Sequence, residues 1–449
     1  MYDSTSWAVV HAFSHPTLDL AALTTHLTDD EIETICLELG HHWRERVFSP
    51  VQTVHSIVYR GLYPDKSINA TLEAMAASAP QAHPPTDAAW CKARDRLPRE
   101  VLGQLVQRSA RRVIRRYGHA YRVWDRPVYR FDGTTVSMPD TPELVAHFGY
   151  ANTKHGYSRF PDARVAVLIA AGTEVICHLQ TDPYTTDERV QFRRCWDALP
   201  HGSICVCDVK FSNFYDLAKL RQRRVDVVTP LHQRRDPNKL IAAGRKIGPR
   251  EWLVPLTLAP QLRKKYDDPL LPQTLWVRLI HVKLRGRSRR KSLWLVTTLL
   301  DSEHYDARMV AALYHDRWTI ETRIGTLDVT LAAKVLRATT VDGVLKEVAG
   351  RALAYNLVWT VIHDAADQAD VAADRISFTD AARIIIAYST AARGLEGPVR
   401  QFVYERMLTA IASHLVPWRP GRNEPRLIKR QKRRYGFLKK PRDKARLLV

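Results

Sequence analysis

Two aspartates stand where carboxylates could act together. Asp132 and Asp208 each end a short apolar segment with the composition of a β-strand, 128–132 and 204–208. If these strands are neighbours in a sheet, the two carboxylates emerge side by side at one edge. Hard divalent cations prefer carboxylate oxygens, and two ions ~3.5–4 Å apart can clamp the attacking and leaving oxygens of a phosphoryl displacement. The pattern predicts a metal site, with an ordinary strand-end turn residue as the alternative at each position.

A third acid, Glu321, follows Tyr314 and Arg317 with helical spacing. These positions fall at about 0°, 300° and 340° on a helical wheel, so their side chains share one stripe about 60° wide. A carboxylate, a guanidinium and a phenol on one face suit a place where a metal and a phosphodiester meet. An Arg–Glu pair on a solvent-exposed helix has the same spacing and is the alternative interpretation.

Six motifs occur in order along the chain, and the likeness that they carry runs from about residue 45 to the C-terminus. They read Asp132-Gly-Thr-Thr-Val-Ser-Met-Pro-Asp-Thr-Pro-Glu143, Asp208-Val-Lys-Phe, Tyr314-x2-Arg317-Trp-x2-Glu321, Val335-Leu-Arg-Ala-Thr-Thr, Leu353-Ala-Tyr-Asn-Leu357 and Arg419-Pro-Gly-Arg-Asn-Glu-Pro-Arg-x2-Lys429. Together they resemble the DDE transposases of bacterial insertion sequences, specifically the insertion-sequence-four group with its Y-R-E-K signature. Six ordered motifs are far more specific than any one of them.

The resemblance implies a ribonuclease H-like catalytic core, an α+β or α/β fold in which helices flank a mixed sheet, with a β-rich insertion between the second Asp and the Glu. It makes Asp132, Asp208 and Glu321 the catalytic residues and the ligands of two Mg²⁺ ions, with Mn²⁺ as a possible substitute. It also makes Tyr314 and Arg317 contacts to the DNA end.

The activity implied by the resemblance is cut-and-paste transposition. The enzyme would bind terminal inverted repeats, cleave the DNA ends through a hairpin, and join them to target DNA by in-line displacements at phosphorus. Double-stranded DNA is the implied partner, and the pairing of two ends implies a homodimer on DNA. Trp318 is a candidate for stacking on a flipped base, with a buried core tryptophan as the alternative.

One position departs from the family signature. The signature lysine would lie seven residues after Glu321, where the chain has Asp328. A lysine there would contact a phosphate, whereas an aspartate repels it unless a metal or a neighbouring arginine intervenes. This position keeps open one alternative to an active transposase, a transposase-derived DNA-binding protein without cleavage activity. A further alternative, a ribonuclease H-like nuclease or resolvase acting on DNA junctions, would share the three acids but would not need the N-terminal helical domain.

The charge distribution independently indicates a nucleic-acid partner. The 449 residues carry 68 Lys+Arg and 47 Asp+Glu, a formal net charge of +21, and +11 of it lies in residues 419–449. Further basic clusters occupy 92–130 and 283–291. Several separate clusters favour a long polyanion, because each neutralised phosphate releases counterions. For the C-terminal tail a solvated charge run is the alternative, and its predicted DNA contacts are Arg422, Arg426 and Lys429.

The clearest amphipathic helix is predicted over residues 99–117, within a helical N-terminal DNA-binding domain. Apolar side chains fall on one side of the helical wheel and arginines on the other. A solvated basic surface is the alternative to DNA-backbone contact. The arginines predicted to contact DNA are Arg108, Arg111, Arg112, Arg115 and Arg116.

Five regions are predicted along the chain. They are the helical N-terminal DNA-binding domain (1–122), the first part of the ribonuclease H-like core (123–231), the β-rich insertion (232–300), the second part of the core with the Glu321 helix (301–365), and a helical C-terminal region with a basic tail (366–449). We expect strands at 164–171, 174–181 and 225–229 as well as those ending in the two aspartates. After Asp306 we expect helix without a break until about Thr339.

The sequence also argues against several classes of protein. Its longest apolar run, 165–171, is far below the ~20 residues that a membrane-spanning helix needs. Six scattered cysteines lack the paired spacing of a zinc site and are expected to be reduced thiols. The N-terminus shows no basic start followed by an apolar segment. We therefore expect a bacterial cytoplasmic, nucleoid-associated protein without a membrane partner.

Overall fold

The fold joins one large mixed sheet to a set of helices. The computed structural model describes residues 23, 25–44, 46–63, 67–77, 85–153, 156–283, 292–329, 335–392 and 394–417, with the side chains of residues 153, 318, 321, 322 and 327–329 left undescribed. The predicted tail contacts Arg422, Arg426 and Lys429 therefore lie outside the described residues.

Ten strands of the described chain form the sheet. They are β1 (Val128–Ser137), β2 (Tyr150–Thr153), β3 (Gly156–Ala170), β4 (Ile176–Pro183), β5 (Ile204–Val206), β6 (Asp226–Pro230), β7 (Arg245–Gly248), β8 (Glu251–Thr257), β9 (Thr274–Lys283) and β10 (Ser292–Thr297). Their spatial order is β2-β3-β1-β5-β6-β10-β9-β8-β7, and β4 pairs with β3. Strand β1 is antiparallel to β3 and parallel to β5, and β5 is parallel to β6.

The segment between residues 232 and 300 is rich in β-structure, and its strands extend the same sheet. Strand β10 pairs antiparallel with β6 on one side and with β9 on the other. Strands β8 and β7 follow outward from β9, again antiparallel. The sheet therefore runs without interruption from the strand of Asp132 to the end of this segment.

Helices precede, interrupt and follow the sheet. They are α1 (Asp29–Glu38), α2 (Pro50–Leu62), α3 (Ile68–Ala76), α4 (Asp87–Arg96), α5 (Arg99–Tyr117), α6 (Pro142–Phe148), α7 (Glu188–Arg194), α8 (Phe214–Gln222), α9 (Pro237–Ala242), α10 (Pro260–Tyr266), α11 (Ala307–Asp316), α12 (Trp318–Val329), α13 (Val341–Ala369), α14 (Phe378–Ala391) and α15 (Gly397–Ser413). Hydroxyl side chains that accept a backbone N–H cap the starts of four of the first helices, as expected of N-cap residues. No helix in the described ranges is both long and apolar enough to cross a bilayer.

Helix α13 connects the N-terminal helices to the sheet, which α5 also contacts directly through β4. It packs against α2, α5, α15 and strand β4, and most of its side chains are buried on every face, as expected of a helix surrounded by other elements. Asn356, fully buried in its middle, accepts a hydrogen bond from the backbone of Ile176 at 2.8 Å. Its amide nitrogen donates to the carbonyls of Val106 and Ile176. One side chain thus joins α13, α5 and β4.

Candidate active site

The pairing of β1 with β5 brings Asp132 and Asp208 to the same level of the sheet. The parallel register matches Val128 with Ile204 and Arg130 with Val206. Two residues further along each chain lie Asp132 and Asp208. Asp208 follows the end of β5, as predicted, whereas Asp132 lies inside β1, which continues to Ser137 in its pairing with β3, so the prediction that Asp132 ends its strand is wrong. Extending the β1–β5 register by two residues still places the two aspartates side by side.

Local hydrogen bonds orient both carboxylates. Asp132 Oδ1 accepts the backbone N–H of Gly133 at 2.8 Å, and Asp208 Oδ1 accepts that of Val209 at 2.7 Å, at the start of a 3₁₀ turn. The hydroxyl of Thr229 on β6 donates to the backbone carbonyl of Asp208. Both aspartates remain partly exposed, so their charged oxygens stay within reach of a ligand.

Arg317 is the cation of this site. It is only 6% exposed, and its Nη1 lies 3.5 Å from Asp132 Oδ2. Burial alone would lower the pKa of Arg317, but interactions with Tyr314, Asp132 and Asp208 outweigh burial and raise it. Burial raises the pKa of Tyr314, and this effect exceeds the opposing effect of the charge of Arg317. Four of the predicted site residues therefore form one cluster.

The Y-R-E positions occupy two helices, so the expectation of one unbroken helix after Asp306 is wrong at this point. Helices α11 and α12 meet at Arg317, where the N–H of Arg317 donates to the Tyr314 carbonyl and that of Ile320 to the Arg317 carbonyl. Hydrogen bonds between residues three apart tighten the chain relative to an α-helix. Helix α12 packs against β1, so Glu321 lies on the helix next to the strand of Asp132.

A buried ionic network holds this helix junction against the sheet. Arg130 on β1 is 4% exposed and donates to Glu174 at 3.0 Å and to Asp316 at the end of α11. Arg323 on α12 donates to the other oxygen of Glu174 at 3.0 Å. Burial would raise the pKa of Glu174, but the charges of Arg130 and Arg323 outweigh burial and lower it. The network therefore positions both helices that carry the Y-R-E residues.

The two aspartates have the right chemistry for a divalent cation. Among the side chains that the structure describes, no three His, Cys, Asp or Glu residues are grouped closely enough to hold a metal. The Glu321 side chain is not among them, and its backbone position on α12 is next to β1. Asp132 and Asp208 supply the carboxylate oxygens that Mg²⁺ uses together with water and phosphate oxygens.

The arginines of α5 divide into two groups. Arg111 and Arg115 are exposed, as are Arg112 and Arg116, but Arg111 and Arg115 pair with no acid among the described residues. The other three contact acids of other helices, and the pairs are Arg108–Glu38 at 2.8 Å, Arg112–Glu31 at 2.8 Å and Arg116–Asp364 at 3.4 Å. Part of the predicted DNA-binding face is therefore neutralised within the chain. The position of Trp318 at the start of α12 is described, but its side chain is not.

A mixed sheet that presents two aligned aspartates beside a buried arginine defines a candidate site for metal-assisted phosphoryl transfer. Comparison with protein families identifies the family to which the chain belongs. Residues 124–357, slightly more than half of the chain, match the family described as "Transposase DDE domain". The chain belongs to this family, and the resemblance to DDE transposases is confirmed.

Comparison with individual proteins gives two further matches. InsG, the transposase for insertion sequence element IS4 of Escherichia coli (strain K12), is 28% identical over 195 residues. That match spans 42% of this chain and 42% of InsG. Among solved structures, piggyBac transposase in a synaptic complex with hairpin DNA matches 93% of this chain and 88% of that one, with 10% identity and a TM-score of 0.44.

Proposed function

We propose that this chain is an active transposase that cuts DNA at the ends of an insertion sequence and joins those ends to target DNA. The observation that carries the proposal is the alignment of Asp132 with Asp208 beside the buried cation Arg317. Membership of the DDE family supports the reaction class. Phosphoryl transfer requires positioning and charge stabilisation, and this cluster has groups for both.

Asp132, Asp208 and Glu321 are the proposed ligands of divalent metal. Two Mg²⁺ ions, with Mn²⁺ as substitute, would activate the attacking oxygen and stabilise the leaving oxygen. The backbone N–H groups of Gly133 and Val209 hold one oxygen of each aspartate. The carboxylates are therefore oriented before any substrate binds, which lowers the reorganisation needed during reaction.

Arg317 and Tyr314 are the proposed contacts to the DNA end. The guanidinium of Arg317 is held between Asp132 and the Tyr314 ring, 5.7 Å from the ring centroid. An arginine in this position attracts a phosphodiester and limits where its oxygens lie, because the planar group donates in fixed directions. Trp318 follows directly, and base stacking remains a proposal for it.

The core is proposed to be ribonuclease H-like. Its support is the arrangement β4-β3-β1-β5-β6, in which an antiparallel three-stranded meander is followed by two strands parallel to β1. This topology places Asp132, inside β1, beside the end of β5, which Asp208 follows. Binding to inverted repeats, a hairpin intermediate, a homodimer on DNA and nucleoid association belong to the same proposal and rest on the family resemblance.

A transposase-derived DNA-binding protein that does not cleave is the second candidate. The residue that favours it is Asp328, where the family signature has a lysine. An acid at a phosphate-binding position would weaken the hold on the DNA end. It leaves the three proposed metal ligands unchanged, so an active enzyme remains the first proposal.

A cleavage assay separates the two candidates. Purified full-length protein is incubated with Mg²⁺ or Mn²⁺ and a duplex carrying the inverted repeats that flank its gene. We expect cuts at the repeat ends that disappear with Asp208→Ala and persist with Asp197→Ala, whose side chain is 90% exposed and pairs with Arg223 on the surface. Binding without any nick would overturn the first candidate and support the second.

A further inference from the structure

A cavity lined by basic residues lies between the N-terminal helices and α13. Neither Asp132 nor Asp208 lines it. The cavity has a volume of about 320 Å³ and is walled by α2, the start of α3, α4, the segment before α13, and α13 itself. This volume is at the lower end of the range for small-molecule pockets. We call it the Arg60 pocket. Its cationic lining residues are Arg60, Arg94, Arg337, Lys346 and Arg351.

The lining charge of the Arg60 pocket is strongly unbalanced. Five cations line it, against the two acids Asp87 and Glu347. Glu347 is already engaged, because its carboxylate accepts from Arg351 and from the backbone N–H of Arg337. Asp87 accepts the N–H of the next residue in its own helix and is exposed. The wall therefore carries more positive charge than its own acids neutralise.

Further partners of the lining cations stand outside the cavity. Arg94 pairs with Asp95, and Lys346 pairs with Asp342. Both acids are about half exposed and neither lines the cavity. Lys346 itself is buried and donates to the backbone carbonyl of Arg94. These contacts hold the cations in position, and most of the polar side chains that line the cavity are hydrogen-bond donors.

Arg60 has a buried donor that an anion could satisfy. Its guanidinium stacks over the Trp90 ring, 4.7 Å from the centroid, and its buried Nε has no hydrogen-bond partner among the described residues. Burial lowers the pKa of Arg60, and repulsion from Arg94 and Arg351 lowers it further, against the opposing charge of Glu347. A buried N–H without an acceptor costs free energy, which a bound oxyanion would recover.

The buried Trp90 holds two basic side chains of the pocket in place. The Trp90 ring is 1% exposed, and its Nε1 donates to Ser56 Oγ at 2.7 Å. Arg94 also stacks over this ring, 5.3 Å from the centroid. The tryptophan thus fixes two guanidinium groups, and planar guanidinium donors match the oxygens of a phosphate. Arg337 is exposed, as are the polar lining residues of α3, so the pocket has an entrance from solvent.

We propose that the Arg60 pocket binds a phosphate group, and that this phosphate belongs to the backbone of bound DNA. The choice of DNA rests on the proposed function, whereas the affinity for phosphate does not. Leu336, next to Arg337, donates its N–H to the carbonyl of Ser137 on β1. Ser137 lies five residues beyond Asp132 on that strand, roughly 17 Å at ~3.3 Å per residue. One duplex can therefore span the active site and the pocket.

The first part of the test measures DNA binding without cleavage. Full-length protein is titrated with the repeat duplex in EDTA at several salt concentrations. The logarithm of the DNA-binding constant falls linearly with log[salt]. We expect Arg60→Gln and Arg337→Gln each to make this slope less negative by about 1, the value of one lost phosphate contact. The matched control, Arg383→Gln, removes the same charge from a side chain on α14 that is 74% exposed and outside the pocket, and should keep the wild-type slope.

The second part uses inorganic phosphate alone. We expect sodium phosphate, compared with sodium chloride at equal ionic strength, to raise the melting temperature of the wild type and of Arg383→Gln more than that of the two pocket variants. Suppose that phosphate stabilises the wild type more than the pocket variants, but that the salt dependence of DNA binding is unchanged in those variants. The bound phosphate would then not belong to DNA, and the pocket would be assigned to free phosphate or a nucleotide. Wild-type behaviour of Arg337→Gln in both parts would overturn the proposal, and neither part depends on DNA cleavage.

Discussion

At the scale of single residues, Arg317 decides how the two aspartates can act. Its guanidinium stands 3.5 Å from Asp132 and interacts with Asp208 and Tyr314. Because it is buried, its charge is poorly screened by water and salt. Under the proposed function, the guanidinium that contacts Asp132 would also neutralise a phosphodiester of bound DNA.

Replacement of Arg317 should therefore impair cleavage more than binding. We expect Arg317→Gln to slow cleavage of pre-bound DNA by roughly 10- to 100-fold, the equivalent of a lost charge-assisted hydrogen bond of about 1.5–3 kcal/mol. Arg317→Lys should recover only part of the rate, because an ammonium lacks the planar fork. Single-turnover cleavage at saturating protein measures the effect.

The control for Arg317 is Arg223→Gln, which removes an arginine from a surface pair with Asp197. It should cleave at the wild-type rate. Full activity of Arg317→Lys would contradict a role that depends on guanidinium geometry. It would show that cleavage requires only a positive charge at position 317.

Sequence reasoning at this scale found the residues that have local signals. Asp132 and Asp208 each follow a short apolar segment, which is visible without a structure, although β1 continues beyond Asp132 to Ser137. The network of Arg130, Glu174 and Arg323 has no such signal, because its members are 44 and 149 positions apart. Only an arginine inside an otherwise apolar strand, at position 130, hinted that a buried partner exists.

At the scale of elements, apolar periodicity predicted helices and strands well and their junctions poorly. The helix expected over 99–117 is observed with those bounds. The junction at Arg317 was not predictable, since a helical wheel assumes uniform rotation and neither proline nor glycine marks the site. The antiparallel pairing of β10 with β6 is likewise a non-local contact that composition does not encode.

The crossing of α2 and α13 depends on a glycine. A Cβ at Gly350 would lie 2.2 Å from Cγ2 of the buried Ile57, so the helices pack more closely there than an alanine permits. We expect Gly350→Ala to lower the free energy of unfolding by about 1–3 kcal/mol through overpacking. Urea denaturation followed by circular dichroism measures the change.

Gly103 provides the matched control. It lies within α5, and a Cβ there would meet nothing within 4 Å. Gly103→Ala should stabilise the protein by roughly 0.5–1 kcal/mol, because alanine loses less conformational entropy in a helix. Stabilisation by both substitutions would show that the α2–α13 crossing is not as tight as described.

At the scale of the whole molecule, Asp364 on α13 connects distant parts of the chain. Its carboxylate accepts hydrogen bonds from Tyr117 on α5 and from Tyr404 on α15 at 2.8 Å. It also pairs with His26 at 2.9 Å, near the start of the described chain. Burial would raise the pKa of Asp364, but His26 and the two tyrosine donors outweigh burial and lower it to about 2.

The lowered pKa predicts how stability depends on pH. The ordinary value for this carboxyl is 3.8, so its contribution is present above about pH 4 and is lost as the pH falls towards 2. We expect Asp364→Asn to reduce the free energy of unfolding at pH 7 by about 2 kcal/mol and to flatten the decline of stability between pH 4 and 2.

Asp367→Asn is the control for Asp364. It removes a carboxylate of the same helix that is 65% exposed and 3.8 Å from Arg116. Its stability should change by less than about 0.5 kcal/mol, as for most surface substitutions. If Asp364→Asn showed the wild-type dependence on pH in urea denaturation, the proposed junction of N-terminal, central and C-terminal helices would be wrong.

A metal-switch experiment tests most directly whether Asp132 and Asp208 together hold the metal for DNA cleavage. Asp208→Cys replaces a carboxylate, which suits Mg²⁺, with a thiolate, which suits softer ions. We predict that cleavage of the repeat duplex falls at least 100-fold in Mg²⁺ and recovers at least 10-fold in Mn²⁺. Cleavage by Asp208→Cys at the wild-type rate in Mg²⁺ would contradict the claim.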